Sequence, residues 1–134
     1  MTATTPILRW SESEPPAEVS TGDQLDVLLD RLTANSRPDF PISVRLQAHG
    51  CEADILLGLQ ESFVYLTEVR PRRFYITVGD SYVDGVVGFH LLGQHHTEFE
   101  RRHLIPLALA RSVLREFFDT GRRLTSVDWE EGSY

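Results

Sequence analysis

Residues 42–48, ISVRLQA, place an apolar side chain at every second position. Because successive side chains of a strand point to opposite faces, this period of two predicts a strand with one face in the core. A His-Gly pair at 49–50 follows and is typical of a turn. The later apolar runs are residues 54–57, 63–66, 74–78 and 86–92. Since the gaps between them are short, they favour an antiparallel meander of about four to six strands.

Two helical patterns flank this region. Thr21 and Gln24 have the spacing of a capping box, and leucines at 25, 28, 29 and 32 form one apolar stripe. Pro106 suits a first helical position, and Gly121 suits the position just past a helix end. The sequence therefore predicts helices near 23–34 and 106–120 that cover an antiparallel sheet, an α+β fold. Short strands are expected at 7–10 and 126–129, and a mobile loop at 11–20.

Length and charge limit the possible functions. The chain has 134 residues and a net charge of −7, so we expect one domain over 1–134. No apolar run approaches the roughly 18–20 residues of a membrane span, and residues 1–10 do not resemble a secretory signal, so the expected compartment is the cytoplasm. An acidic chain gains nothing from counterion release on nucleic acid, which excludes that partner and favours a basic one.

The residues that most often carry catalysis or bind metal form no known motif. His90, His95, His96 and His103 lack the spacing of a zinc or iron site, and adjacent histidines on a strand point to opposite faces. The single Cys51 excludes an intramolecular disulfide, and Glu52 beside it disfavours a reactive thiolate. We therefore expect no metal, no cofactor, no catalytic residue and no enzyme activity.

Acidic side chains concentrate at two places. Asp80 and Asp84 flank a predicted turn, and Asp128, Glu130 and Glu131 lie at the end of the chain. They would lie close together if the last strand paired near the 78–86 turn. The residues alone thus favour a binding protein with acidic loops over an enzyme.

The last third of the chain resembles a known family. The segments that carry the resemblance are Ile105–Ala110, Leu114–Phe117, Thr120–Arg123 and Ser126–Glu131. Together they describe a helix led by proline, a glycine turn and a strand with a tryptophan. This arrangement resembles the ending of the Imm1 immunity proteins, which are cognate antitoxins of bacterial polymorphic toxin systems.

The resemblance implies a cytoplasmic α+β protein that binds a toxin domain and blocks it. The toxins of such systems are often nucleic-acid deaminases or nucleases. From the charges we expect the partner, a basic toxin domain, to contact the following residues: Asp80, Asp84, Asp128, Trp129, Glu130 and Glu131. Two alternatives stay open at this point: an acidic interaction or secretion-adaptor module without a toxin partner, and a small enzyme that uses His90, His95 or Glu98.

Overall fold

The computed structural model describes residues 5–11, 14–36, 41–69, 72–90 and 96–132. The helices are α1, Gly22–Asn35, and α2, Leu107–Thr120. The strands are β1 Ile7–Arg9, β2 Ala17–Glu18, β3 Ile42–Ala48, β4 Cys51–Leu57, β5 Glu61–Ser62, β6 Val64–Glu68, β7 Arg73–Val78, β8 Val86–His90, β9 His96–Glu100, β10 Ile105–Pro106 and β11 Asp128–Gly132. A short 3-10 turn spans Arg101–His103.

Seven strands form one antiparallel sheet in the order β11-β7-β6-β4-β3-β1-β2. The meander predicted from the sequence is its centre, because β3, β4, β6 and β7 are neighbours in chain order. The His49-Gly50 pair forms the first hairpin turn, with φ values of 54° and 72°. Two positive φ values in succession are the geometry that a two-residue hairpin of the primed type needs. The predicted α+β class is confirmed.

The helices cover one face of the sheet, which the period of two in β3 predicted. Val44, Leu46 and Ile55 point from the sheet into a core that Leu29 of α1 and Phe117 of α2 complete. Salt bridges join the two helices to each other, and the two shortest are Arg115–Asp26 at 2.7 Å and Arg111–Asp30 at 2.6 Å. Among the described residues, no helix is long and apolar enough to cross a membrane.

The helix ends agree with the sequence signals, with one difference. The Thr21 hydroxyl accepts a hydrogen bond from the Gln24 backbone N–H at 3.1 Å, so it caps α1 as predicted. Gly121 ends α2 in the left-handed region with φ of 76°, also as predicted. Pro106 is the residue before the first helical position, because its ψ of 142° is extended and it pairs with Glu61 in a short ribbon.

The strand predicted from 86 onward lies outside the main sheet. β8 pairs with β9 in a separate two-stranded ribbon, which packs through Phe99 on Phe63 with ring centroids 4.5 Å apart. The reason is that both edges of β7 are occupied, by β6 on one side and by β11 on the other. No edge is left on which β8 could continue the meander.

Candidate functional site

The pairing of the last strand brings the two acidic segments together. β11 lies antiparallel to β7, and Asp128 is opposite Val78, two residues before Asp80. Residues 79–85 leave β7 at that same end of the sheet. We call the loop 79–85 together with β11 the acidic edge. The final strand therefore pairs where the sequence argument required it to pair.

A cleft of about 460 Å³ opens within the acidic edge. It is lined by Val78, Gly79, Asp80, Ser81, Tyr82, Asp128, Trp129 and Glu130. The lining contains three carboxylates and no Arg. One of them, Glu130, is paired with the Arg102 guanidinium, so among the described residues Asp80 and Asp128 supply the unpaired negative charge of the cleft.

Hydrogen bonds within the loop of the acidic edge, and from the loop to the 3-10 turn, define its conformation. The Asp80 carboxylate accepts a hydrogen bond from the Tyr82 N–H at 3.0 Å, and the Asp80 carbonyl accepts one from Val83 at 3.2 Å. Gly79 donates to the carbonyl of Arg102 at 2.8 Å. A Cβ at Gly79 would lie 1.9 Å from the Leu104 carbonyl oxygen, so this close approach requires glycine.

The far end of the loop is fastened to the same segment. The carbonyl of Gly85 accepts a hydrogen bond from the backbone N–H of Arg101 at 3.0 Å. Gly85 has φ of 101°, a conformation that side chains disfavour. Both ends of the loop thus rest on the 3-10 turn at 101–103, which gives the acidic edge a defined geometry.

Glu130 differs from the other acids of the edge because it is already paired. Its carboxylate accepts a hydrogen bond from the Arg102 guanidinium at 2.8 Å and lies 3.3 Å from the His103 ring. Glu100 approaches the same guanidinium at 3.3 Å. These contacts tie β11 to the 3-10 turn. The part that Glu130 plays toward a partner remains a prediction.

The other predicted site residues occupy distinct positions. Asp128 and Asp80 are exposed and line the cleft, whereas Asp84 and Glu131 are exposed but lie outside its lining. Trp129 is half-buried against the core, and its indole N–H donates to the Leu124 carbonyl at 3.0 Å. The structure therefore brings Asp80, Asp128, Trp129 and Glu130 to one cleft. Their contact with a partner stays a prediction.

Reasoning from the sequence missed an apolar component of the edge. The side chain of Tyr82 is 93% exposed at the mouth of the cleft, and Val83 and Val86 follow it on the surface. An aromatic and two valines inside a stretch otherwise made of Asp, Gly and Ser were the available signal. Only the structure shows that they point to solvent instead of joining the core.

Most of the residues weighed for catalysis have side chains outside the described part of the structure, although the backbones of His90 and His96 are paired across β8 and β9. His95 lies outside the described residues, as do the side chains of His90 and His96. The buried His103 ring contacts Glu130 and Glu100. Within the described ranges, no group of three or more His, Cys, Asp or Glu side chains is placed to hold a metal ion.

Cys51 is half-buried, and its surroundings disfavour the thiolate form that a nucleophile needs. The pKa of its thiol is raised by burial and by the nearby carboxylate of Glu68. The ring of His49 lies against Phe117, and its Nε2 is 2.8 Å from the Phe118 carbonyl oxygen. That imidazole is therefore engaged at the end of α2.

We expect Cys51 to react slowly with iodoacetamide. A raised pKa lowers the thiolate fraction near neutral pH, and the thiolate is the reactive form. The rate at pH 7.5 should be several-fold lower in the folded protein than in urea, measured by mass spectrometry. Because the folded state holds this proton more tightly, stability should also decline as the pH rises above about 8.5. Equal rates in the folded and unfolded protein would contradict the assignment.

Comparison with known proteins identifies a family. The family model described as "Immunity protein Imm1" matches residues 13–131, which include both helices and all of the acidic edge except its last residue, Gly132. No curated protein matches the chain.

Proposed function

We propose that this chain, which belongs to the Imm1 family of immunity proteins, neutralises its toxin by covering the active site of the toxin domain with the acidic edge. Immunity proteins act on toxins by binding, so no turnover is required of the chain itself. The mechanism is steric and electrostatic: the acidic edge fills the substrate groove of the toxin, and its carboxylates form ion pairs with the cationic side chains there. We place this encounter in the cytoplasm.

One observation carries this choice of surface. Asp80 and Asp128 come from distant parts of the sequence, yet the β7–β11 pairing places both in the lining of one cleft. A second cleft of about 650 Å³, which shares Trp129 with the first, is lined by Arg122 and Arg123 beside Glu68 and Cys51. Its mixed charge gives it no comparable selectivity for a basic surface. A third cleft, of about 540 Å³, is also acidic, with Glu18 and Asp23 in its lining and no Arg. We choose the acidic edge because its lining holds three carboxylates against these two.

The negative charge of the acidic edge also supports a toxin that acts on nucleic acid. Enzymes that cut or modify nucleic acid hold their substrates in grooves rich in Lys and Arg. An inhibitor of such an enzyme gains affinity and speed of association from a negative surface, since the potentials of the two partners are then complementary. We propose that the toxin is a nucleic-acid deaminase or nuclease with a basic groove.

The test is co-expression of the chain with the toxin domain encoded beside it. We expect the two proteins to co-purify and the chain to abolish the toxin's action on nucleic acid in proportion to the complex formed. Cells that produce the toxin domain should survive only with the chain present. A toxin that stays active in the purified complex would refute active-site occlusion. Failure of the pair to associate would refute the proposed partnership.

A further inference from the structure

Exposed apolar side chains are concentrated in one short segment, which covers the loop of the acidic edge and the first residue of β8. The large hydrophobic residues exposed in the described ranges are Val27, Val69, Tyr82, Val83 and Val86. Three of these five lie between positions 82 and 86, with Tyr82 93% exposed, Val83 38% and Val86 52%. Single exposed hydrophobic residues are ordinary, whereas three within five positions beside Asp80 and Asp84 are typical of an interaction site.

The chemistry of this group resembles the centre of a protein interface. Tyrosine is enriched among the residues that contribute most to binding energy, because it buries a large rigid ring at a low entropic cost. Tyr82 stands two residues from Asp80 and two from Asp84, so the ring lies between two carboxylates along the chain. An aromatic ring between two anions has the same order of groups as a nucleobase between two phosphates.

The loop also presents this ring in a prepared conformation. The Tyr82 N–H is bonded to the Asp80 side chain, and the loop ends are bonded to the backbone of Arg102 and Arg101. A segment that is ordered before binding loses less entropy when the partner docks. The Tyr82 side chain is thus exposed to solvent on a loop that hydrogen bonds hold in a defined conformation.

We propose that Tyr82 enters the substrate pocket of the toxin as a stand-in for a nucleobase, with Asp80 and Asp84 in the places of the adjacent phosphates. This inference rests on the proposed function and adds the residue that makes the central contact. Nucleic-acid enzymes stack bases on aromatic or guanidinium planes and bind phosphates through Arg and Lys. In the toxin, the plane that stacks on a base would stack on the Tyr82 ring, and the Arg and Lys side chains that bind phosphates would bind the two carboxylates.

Substitutions at Tyr82 separate the ring from the charges. With a catalytically inactive toxin domain, we expect Tyr82→Ala to raise Kd at least a hundredfold, whereas Tyr82→Phe stays within about threefold because it keeps the stacking ring. The control Val27→Ala removes another exposed side chain, on α1, and should bind as wild type does. Thermal unfolding of all three variants should match that of the wild type, since the changed side chains are exposed.

A competition experiment tests the mimicry itself. A fluorescent single-stranded 12-nucleotide probe, in DNA and RNA form, is bound to the inactive toxin domain and titrated with the chain. We expect wild type to displace the probe completely and Tyr82→Ala to need at least a hundredfold more protein. A complex that holds the chain and the probe together would overturn the inference.

The outcomes distinguish this inference from the function on which it rests. If wild type neutralises the toxin and Tyr82→Ala binds within threefold of it, Tyr82 is not the anchor, while the proposed function stands. If Tyr82→Phe is as weak as Tyr82→Ala, the hydroxyl and not the ring is recognised, and base mimicry is wrong. If wild type neither binds nor neutralises the toxin, the proposed function itself fails.

Discussion

We expect Phe117→Ala to lower the free energy of unfolding by about 3–5 kcal/mol, from lost burial and from the cavity that remains. Phe117 is 2% exposed in α2 and is the largest of the fully buried side chains. Its ring packs in the core and meets the His49 ring edge-on at 5.7 Å. A typical domain has about 5–15 kcal/mol in total, so this one change removes a large share.

The measurement is thermal and urea unfolding, followed by circular dichroism. A loss of this size should lower the Tm of a chain of this length by roughly 10–20 °C. Phe118→Ala is the matched control, because it makes the same chemical change at the next, half-buried position. It should cost less than half as much. A Phe117→Ala Tm within 2 °C of wild type would show that α2 does not anchor the core.

The sequence predicted the structure correctly wherever residues close together in the chain determine the local conformation and the buried face. The alternation in 42–48 indicated which face of β3 is buried, and Thr21 and Gly121 marked helix ends through their own hydrogen bonding and φ. Each of these signals depends on residues within a few positions of each other. Local physics therefore predicted the central meander and both helices.

Pairings between distant segments carried no such signal. The 86–92 run has the pattern of a strand. Its residues give no indication that β11 occupies the edge of β7 on which this strand would otherwise pair. The tie between Glu130 and Arg102 likewise joins residues from different ends of the fold. The exposed position of Tyr82 follows from the hydrogen bonds of the loop to the 3-10 turn, which the sequence does not display.

The structure also changes how the acidic edge should be tested. An arginine in place of Glu130 would bring a second guanidinium against Arg102, so a loss of binding would be confounded with damage to the fold. Asp84 and Asp128 avoid this problem. Both are exposed, and neither bonds to another side chain in the described part of the chain. They are the acids whose reversal should affect a partner and leave the fold intact.

We expect Asp84→Arg combined with Asp128→Arg to weaken toxin binding about a hundredfold at low salt. A tenfold loss for each residue equals about 1.4 kcal/mol, close to the lower end of the coupling measured between charges across an interface. Most of the loss should appear as slower association, because the edge would no longer attract the basic groove. The measurement is surface plasmon resonance against the inactive toxin domain at low and high salt, with cell survival in parallel.

The matched control is Glu18→Arg combined with Glu61→Arg, which changes the net charge by the same amount. Glu18 lies on β2 at the opposite edge of the sheet, and Glu61 is exposed on β5. Non-specific attraction depends on net charge, whereas a docked surface depends on where the charges stand. The two double variants should therefore differ strongly in association rate and converge as salt screens the field. Equal losses in both would show that the overall charge, and not the acidic edge, governs recognition; no loss in either would place the interface elsewhere on the molecule.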